Sequence, residues 1–360
     1  MLIGSVELLM KKSSQSTVLI TGGTGFLGVH LARFLLKKRY NIILLDTADQ
    51  TAKDLDGKVT IINADIRDFQ KMETSFKNVD YVVHAAAALP IHHDRNYIFD
   101  VNVNGTKNVL KASLKNKVKK VVFISTTAMY GVPRTLPEKE TDKIYPIGYY
   151  GESKAAAEKL CRDFTKKGLR TNILRPKSFL GPERLGVFTI WFEAIFQNRP
   201  VFILGKGNNL YQLLEVVDLC TAIESALLVS KSGETYNVGA ERFGTWQEDL
   251  GALIKHAKSK SKIICLPVKP TQIALSILEK FNLSPIIAWH YLTFPVDSYV
   301  SIEKAKKQLK FLPKKSNQDI LTETYDWYKE HRKEFIGKEG KTHRTIWNFK
   351  LVDFAQKFFR

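Results

Sequence analysis

Residues 21–28 read Thr21-Gly22-Gly23-Thr24-Gly25-Phe26-Leu27-Gly28, and this run decides the fold. An apolar segment, Val18-Leu19-Ile20, precedes it, and an amphipathic stretch over residues 28–36 follows. Gly22, Gly25 and Gly28 therefore stand where a strand turns into a helix. The first permits a tight turn, the second lets backbone approach a pyrophosphate, and the third lets helix and strand pack closely. The helix N-terminus offers unpaired N–H groups and a partial positive charge to phosphates. Such a pattern alone also occurs as a plain structural turn. Here Asp46 closes the next apolar run, where a carboxylate accepts from adenosine ribose hydroxyls and repels the extra phosphate of NADP. The turn reads as an NAD site.

Further β-branched runs recur at residues 42–45, 59–62, 81–84, 121–125 and 171–174. Amphipathic stretches at 101–114 and 150–164 lie between some of them. Continuous apolar strands alternating with helices predict an α/β fold with a doubly wound parallel sheet. Beyond residue 180 the alternation weakens. Residues 213–244 read as a return to the sheet, with a helix over 219–230 and then Tyr236-Asn237-Val238-Gly239. The expected domains are a nucleotide-binding unit (17–180 plus 213–244) and a smaller, mostly helical substrate unit (181–212 plus 245–335). Residues 1–16 read as a loose arm. No internal repeat of solenoid length is visible.

The 360 residues carry 55 Lys+Arg against 36 Asp+Glu, a net charge of +19. A basic surface attracts anions, but a Lys-rich proteome of origin explains the charge equally well. No nucleic-acid motif accompanies the lysines, so a nucleic-acid partner is not expected. Cys161, Cys220 and Cys265 are too far apart for a metal site or an even disulfide set. No metal is expected, and a reducing, cytoplasmic location is the simplest reading.

Two tyrosines have a lysine four residues later: Tyr150 with Lys154, and Tyr325 with Lys329. In a helix that spacing places both side chains on one face, where the ammonium lowers the phenol's pKa and readies it for proton transfer. Tyr325 and Lys329 lie far beyond the sheet and read as a surface pair. Tyr150 opens the helix after the fifth strand, whose end carries Ser125-Thr126-Thr127. A hydroxyl there can hold a substrate oxygen, and Thr126 or Ser125 is the candidate. His84 reads as a strand-end residue, and His92 and His93 as a loop pair.

These motifs, with Asn63-Ala64-Asp65-Ile66-Arg67, His84-Ala85-Ala86-Ala87 and Asn102-Val103-Asn104-Gly105-Thr106, together resemble the extended short-chain dehydrogenase/reductases over roughly residues 17–330. The resemblance implies a Rossmann fold, bound NAD and catalytic Tyr150, Lys154 and Thr126 (or Ser125). It implies cofactor contacts from Gly22, Thr24, Gly25, Phe26, Leu27, Gly28, Asp46, Tyr150 and Lys154. Asp65 and Ile66 would lie near the adenine, Ala85, Ala86 and Ala87 would line the cofactor, and Pro176 and Phe179 would join them. Asn102 would be largely structural. Dehydratases of this family carry an Asp-Glu pair after the catalytic Thr; Thr127-Ala128 stands here, which argues against water loss. Nucleotide-sugar epimerases carry an arginine after a Gly-x-Gly turn, and Tyr211 occupies that position. A phenol does not replace a bidentate charge. The Gly205-Lys206-Gly207-Asn208-Asn209-Leu210 run and the Arg175-Pro176-Lys177-Ser178-Phe179-Leu180-Gly181-Pro182 segment, with Ser178 where epimerases carry an Asn, resemble the 3β-hydroxysteroid dehydrogenase-like branch, with Thr126, Ser178 and Tyr211 as substrate residues.

The leading expectation is therefore an NAD-dependent oxidoreductase moving hydride between nicotinamide and a secondary alcohol or ketone, with a sterol-like or other apolar substrate in view. The alternatives are a nucleotide-sugar epimerase that retains NAD, and a non-catalytic NAD(P) sensor or scaffold. Residues 336–360 form a basic tail in which Trp347, Leu351, Phe354 and Phe358 share one helical face. That face suits either a peripheral membrane contact or docking on the chain's own core or on a second copy in a homodimer. The apolar stretch over 273–294 reads as a substrate lid or a further lipid-facing element.

Overall fold

The computed structural model describes residues 15–335, apart from positions 50, 51, 93, 282, 284 and 285. Positions 1–14 of the expected arm, the tail and His93 lie outside the described residues. The first half alternates as the apolar runs predict: β1 (Thr17–Thr21), α1 (Phe26–Lys37), β2 (Asn41–Asp46), β3 (Thr60–Asn63), α2 (Phe69–Ser75) and β4 (Tyr81–His84). Then follow α3 (Arg95–Phe99), α4 (Thr106–Lys115), β5 (Lys120–Ile124), α5 (Gly148–Lys166) and β6 (Thr171–Pro176). The second half holds β7 (Phe179–Leu180), α6 (Thr189–Phe196), β8 (Val201–Leu204), β9 (Leu214–Glu215), α7 (Val216–Leu228) and β10 (Glu234–Val238). It ends with α8 (Trp246–His256), β11 (Ile263–Leu266), α9 (Val268–Lys280), α10 (Ala288–Thr293), α11 (Glu303–Leu309) and α12 (Asn317–Phe335).

The main sheet has seven strands in the order β10-β6-β5-β4-β1-β2-β3, and every pairing in it is parallel. The strand order reverses between β1 and β4, and ligands of such sheets bind beyond the strand C-termini at that switch point. Helices cover both faces, so the central strands are apolar on both sides, and all five residues of β5 are buried. One face packs α1 and α7 against the sheet, and the other packs α4 and α5.

A separate core lies under α6, α8 and α12, with Trp191, Phe192, Tyr211, Trp246 and Tyr328 buried in it. Residues 300–311, expected in the substrate unit, instead pack on the sheet. Val300, Ile302, Ala305, Leu309 and Phe311 join the cluster of α1 and α7. The apolar stretch over 273–294 divides: α10 forms a cavity wall, while Ile273, Ile277 and Phe281 point outward, each more than half exposed. Among the described residues no helix is long and apolar enough to cross a membrane.

Candidate active site

The glycine turn has the geometry that its spacing predicts. Gly22 has φ 69°, and a Cβ there would lie 2.8 Å from the backbone of Ala86. A Cβ on Gly28 would lie 2.4 Å from the carbonyl oxygen of Gly23, so helix and turn touch through the missing side chain. Gly25 caps α1 without a side-chain hydrogen bond. The first N–H groups of the helix thus face the open turn, a cradle that fits a dinucleotide diphosphate. Asp46, at the end of β2, accepts from Thr24 N at 3.0 Å and from Thr47 N at 2.8 Å. Its carboxylate stands at the rim of the cradle, where a ribose would lie.

Ala85 and Ala86 follow β4 and are tied to β1: Ala85 N donates to Thr21 O, and Ala86 N donates to Thr21 Oγ1. Asp65 is paired with Arg67 at 2.6 Å, and Arg67's hydrogen bonds hold its carboxyl below the ordinary range. Ile66 is buried, and its side chain fills the space that a Cβ on Gly105 would need. His84 is a buried strut. Thr106 Oγ1 donates to Asn102 O, so it accepts from His84 Nε2, leaving Nδ1 to accept from Thr21 Oγ1 at 2.7 Å. Burial, with the Lys154 charge nearby, holds this imidazole down at about 3, neutral at all ordinary pH.

Asn102 sits in a π-helical turn over Asp100–Gly105. Its Oδ1 accepts from Ala88 N at 2.7 Å, and its Nδ2 donates to Ser153 Oγ at 2.9 Å. Ser153 in turn donates to Tyr150 O. Asn102 therefore positions the first turn of α5 rather than facing a ligand.

That first turn carries Tyr150, with Lys154 one turn on. Lys154 is only 2% exposed. Its Nζ donates to Ile124 O at 2.6 Å and lies 4.2 Å from the centre of the Phe123 ring. Burial lowers this lysine to about 8 and raises Tyr150 to about 12, with the Arg184 charge only partly opposing the second shift. The sequence reading expects Lys154 to pull the phenol down. In the chain alone the ammonium is committed to a strand carbonyl, and desolvation decides the phenol.

Tyr150 opens onto a cavity of about 260 Å³. Thr126, Ser178, Pro176 and Phe179 line it too, as does Ser125. Thr126 Oγ1 accepts from Ala128 N at 3.1 Å, which fixes the hydroxyl at the end of β5. Ser125 is buried, and its Oγ has no hydrogen-bond partner among the described residues. Burial pushes Glu158 up, but the hydrogen bonds and charge of Arg175 outweigh it and keep the carboxylate ionised. Phe179 stacks on Phe26 at 5.9 Å and thereby joins the cavity to the glycine turn.

Tyr211 does not reach the cavity. It is wholly buried, and its ring stacks on Trp246 at 4.4 Å with Lys177 Nζ over it. An aromatic of that size gains more from the second core than from a wet wall. Tyr325 differs from its surface reading as well, since it is buried in the same core against Phe192. Arg184, Lys177, Trp289 and His290 line the cavity without having been singled out in the sequence. Gly181-Pro182-Glu183-Arg184 reads as a polar turn, and turn composition does not reveal a buried arginine.

A profile of the NAD dependent epimerase/dehydratase family matches residues 18–239. A UDP-glucose 4-epimerase of Lacticaseibacillus casei is 35% identical over 348 residues, covering 89% of this chain and 98% of that protein. An uncharacterized Sinorhizobium fredii protein, y4nG, is 33% identical over 330 residues, covering 91% and 83%. Among solved structures, a UDP-glucose 4-epimerase of Thermotoga maritima with UDP-glucose superposes with a TM-score of 0.75 at 25% identity, covering 88% of this chain and 99% of that one. The chain belongs to the NAD-dependent epimerase/dehydratase family, whose members are enzymes.

Proposed function

We propose that the chain oxidises a secondary alcohol to a ketone, and reduces the ketone in reverse, with Tyr150 as the acid–base group. The observation that carries this reading is the shared wall: Tyr150 and Thr126 face one cavity that Phe179 links to the diphosphate cradle. NAD supplies the hydride acceptor when bound. Gly22, Gly25 and the first turn of α1 would hold its diphosphate, Asp46 a ribose, and Lys154 the nicotinamide-side ribose. In the oxidation, Thr126 donates a hydrogen bond to the substrate oxygen while Tyr150 takes the hydroxyl proton. In the reduction, Tyr150 gives that proton back.

Water loss is disfavoured, because Thr126 is followed by Thr127 and Ala128. The carboxylate that does reach the cavity, Glu279, already accepts from Ala288 N and Tyr291 OH. Arg184 and Lys177 at the wall favour a polar substrate over a wholly apolar one. A second reading, a nucleotide-sugar epimerase that keeps NADH bound through a keto intermediate, is favoured by the end-to-end match to a UDP-glucose 4-epimerase. The test is the nucleotide released from purified, denatured protein, followed by incubation with UDP-glucose. Near-stoichiometric NAD with conversion to UDP-galactose supports the epimerase. An empty site that binds added NADH and reduces ketones supports an exchanging dehydrogenase. A chain that binds NAD but turns nothing over would end both readings.

A further inference from the structure

We propose that the outward side of α9 is a docking surface, and that its occupant is a bilayer carrying anionic lipid. A helix of a folded protein ordinarily buries its apolar stripe. Helix α9 does the reverse, since none of its 13 residues is buried. Ile273, Ile277 and Phe281 are 62%, 52% and 67% exposed, and Leu283, just past the helix end, is exposed as well. Their spacing of four sets the first three along one line of the helix. The opposite side is engaged. Gln272 Nε2 donates to Tyr291 O at 2.9 Å, Tyr291 OH donates to Glu279 at 2.8 Å, and Ala288 N donates to the same carboxylate at 3.1 Å. These bonds tie α9 to α10 by a polar edge, with Glu279 on the cavity wall. The anchorage therefore aims the apolar line away from the protein.

Charge selects among the occupants that such a face could take. The charged residues of α9 are Lys269, Glu279 and Lys280, and the one acid is turned inward to Tyr291 and Ala288. Lys269 and Lys280 are exposed. Lys269 stands four residues before Ile273 and Lys280 three after Ile277, so helical spacing places both beside the apolar line. A second copy docked about a two-fold axis would bring the same lysines to a face that offers no carboxylate. Residues 336–360 carry six Lys or Arg against two acids, so charge disfavours that segment as a cover too. Anionic headgroups suit both parts of the surface: they meet the ammonium groups while Ile273, Ile277 and Phe281 enter the acyl boundary. The net charge of +19 adds long-range attraction to the same surface. Among the described residues no helix is long and apolar enough to cross a membrane, so α9 lies along the interface.

The experiment is flotation of the full-length protein with vesicles of equal parts phosphatidylcholine and phosphatidylglycerol, and with vesicles of phosphatidylcholine alone. The wild type should float with the first and not with the second, and raised salt should release most of it. Ile277→Ser with Phe281→Ser should lower the partition coefficient by on the order of tenfold or more, since two large apolar side chains leave the interface. Melting temperature and NADH affinity should stay at wild-type values, because neither side chain is buried. Lys269→Gln with Lys280→Gln should weaken binding to the anionic vesicles by roughly tenfold. An environment-sensitive dye on Ile277→Cys identifies the occupant. The background is Cys265→Ser, since Cys161 and Cys220 are buried. The dye should emit as in water until anionic vesicles are added, and then shift to the blue. A dye shielded without vesicles at every protein concentration would give the face to the chain's own terminus and overturn the proposal. Shielding that grows with concentration, together with a dimer in light scattering, would give it to a second copy and overturn it as well. Flotation that survives the serine pair would place the lipid contact elsewhere on the chain, and equal flotation with both vesicles would remove the role of charge; either result sinks the proposal.

Discussion

Tyr150 and Lys154 are displaced in opposite directions by the same cause. Burial favours the neutral form of each, so the phenol rises to about 12 and the ammonium falls to about 8. At neutral pH the phenol is therefore protonated and poised to act as an acid. Reduction of a ketone should hold a flat rate from pH 6 to 8, whereas oxidation, which needs the phenolate, should climb through the alkaline range. Initial rates in both directions across pH 6–10 check this, and an oxidation rate that peaks near pH 6 contradicts it. Tyr150→Phe should lose roughly 10²–10⁴-fold in turnover while keeping NADH affinity. Lys154 carries a stability signature as well. Its folded pKa lies below its unfolded one, so the native state releases a proton that the unfolded chain keeps between about pH 8 and 10.5. Stability from this group is lowest below pH 8 and recovers as pH rises, by a span on the order of 3 kcal/mol. Lys154→Met should thus be inactive yet melt no lower than wild type at pH 7. The comparison should then move in favour of the wild type towards pH 10.

Helix α5 is held at two points, and together they aim Tyr150. Asn102 and Ser153 brace its first turn. Farther along, Glu158 meets Arg175 of β6 in a two-pronged ion pair at 2.9 and 2.7 Å. Arg175 also donates to Tyr130 OH, which donates to Asn237 of β10. Removing one member leaves the other charged and buried. Glu158→Ala should therefore lower the unfolding free energy measured by urea denaturation by on the order of 3–5 kcal/mol, with activity falling as the fold loosens. The sheet that α5 sits on was legible in the sequence, because buried parallel strands leave continuous apolar runs and the turn leaves its glycines. Asp46, Tyr150 and Lys154 were legible from their places relative to those runs. The π-helical turn around Asn102 was not, since one extra residue per turn leaves no periodic mark. Tyr211 shows a further limit. Spacing after Gly205-Lys206-Gly207 located it along the chain, but which face an extended residue presents depends on register, and its pairing with Ser298 turns the ring into the second core.

At the scale of the molecule, two cores meet across the cavity, and the loop after β7 joins them. One core belongs to the sheet with α1 and α7, the other to α6, α8 and α12. Gly181 leaves β7 with φ 156°, and Leu185 and Phe188 then enter the second core. Arg33 grips this loop from the first core through Glu183 while keeping Asp54 on its other side. The contact is partly open to solvent, with Arg33 at 27% and Glu183 at 19% exposure. A pair of that kind contributes about 1 kcal/mol or less to folding. Its removal should hardly move global stability, yet it releases the segment that carries Arg184. Arg33→Gln should therefore leave the melting temperature within about 2 °C of wild type and leave NADH affinity unchanged. The Michaelis constant for the alcohol substrate should rise several-fold, and Arg33→Lys should recover part of it by restoring one charge without the fork. Raising salt should reproduce part of the defect in the wild type and add little to Arg33→Gln, because screening weakens the same partly exposed contact. A lowered melting temperature with unchanged substrate kinetics would make the grip a structural tie alone. A rise in the Michaelis constant at constant stability would mean that the cofactor helix sets the shape of the substrate wall.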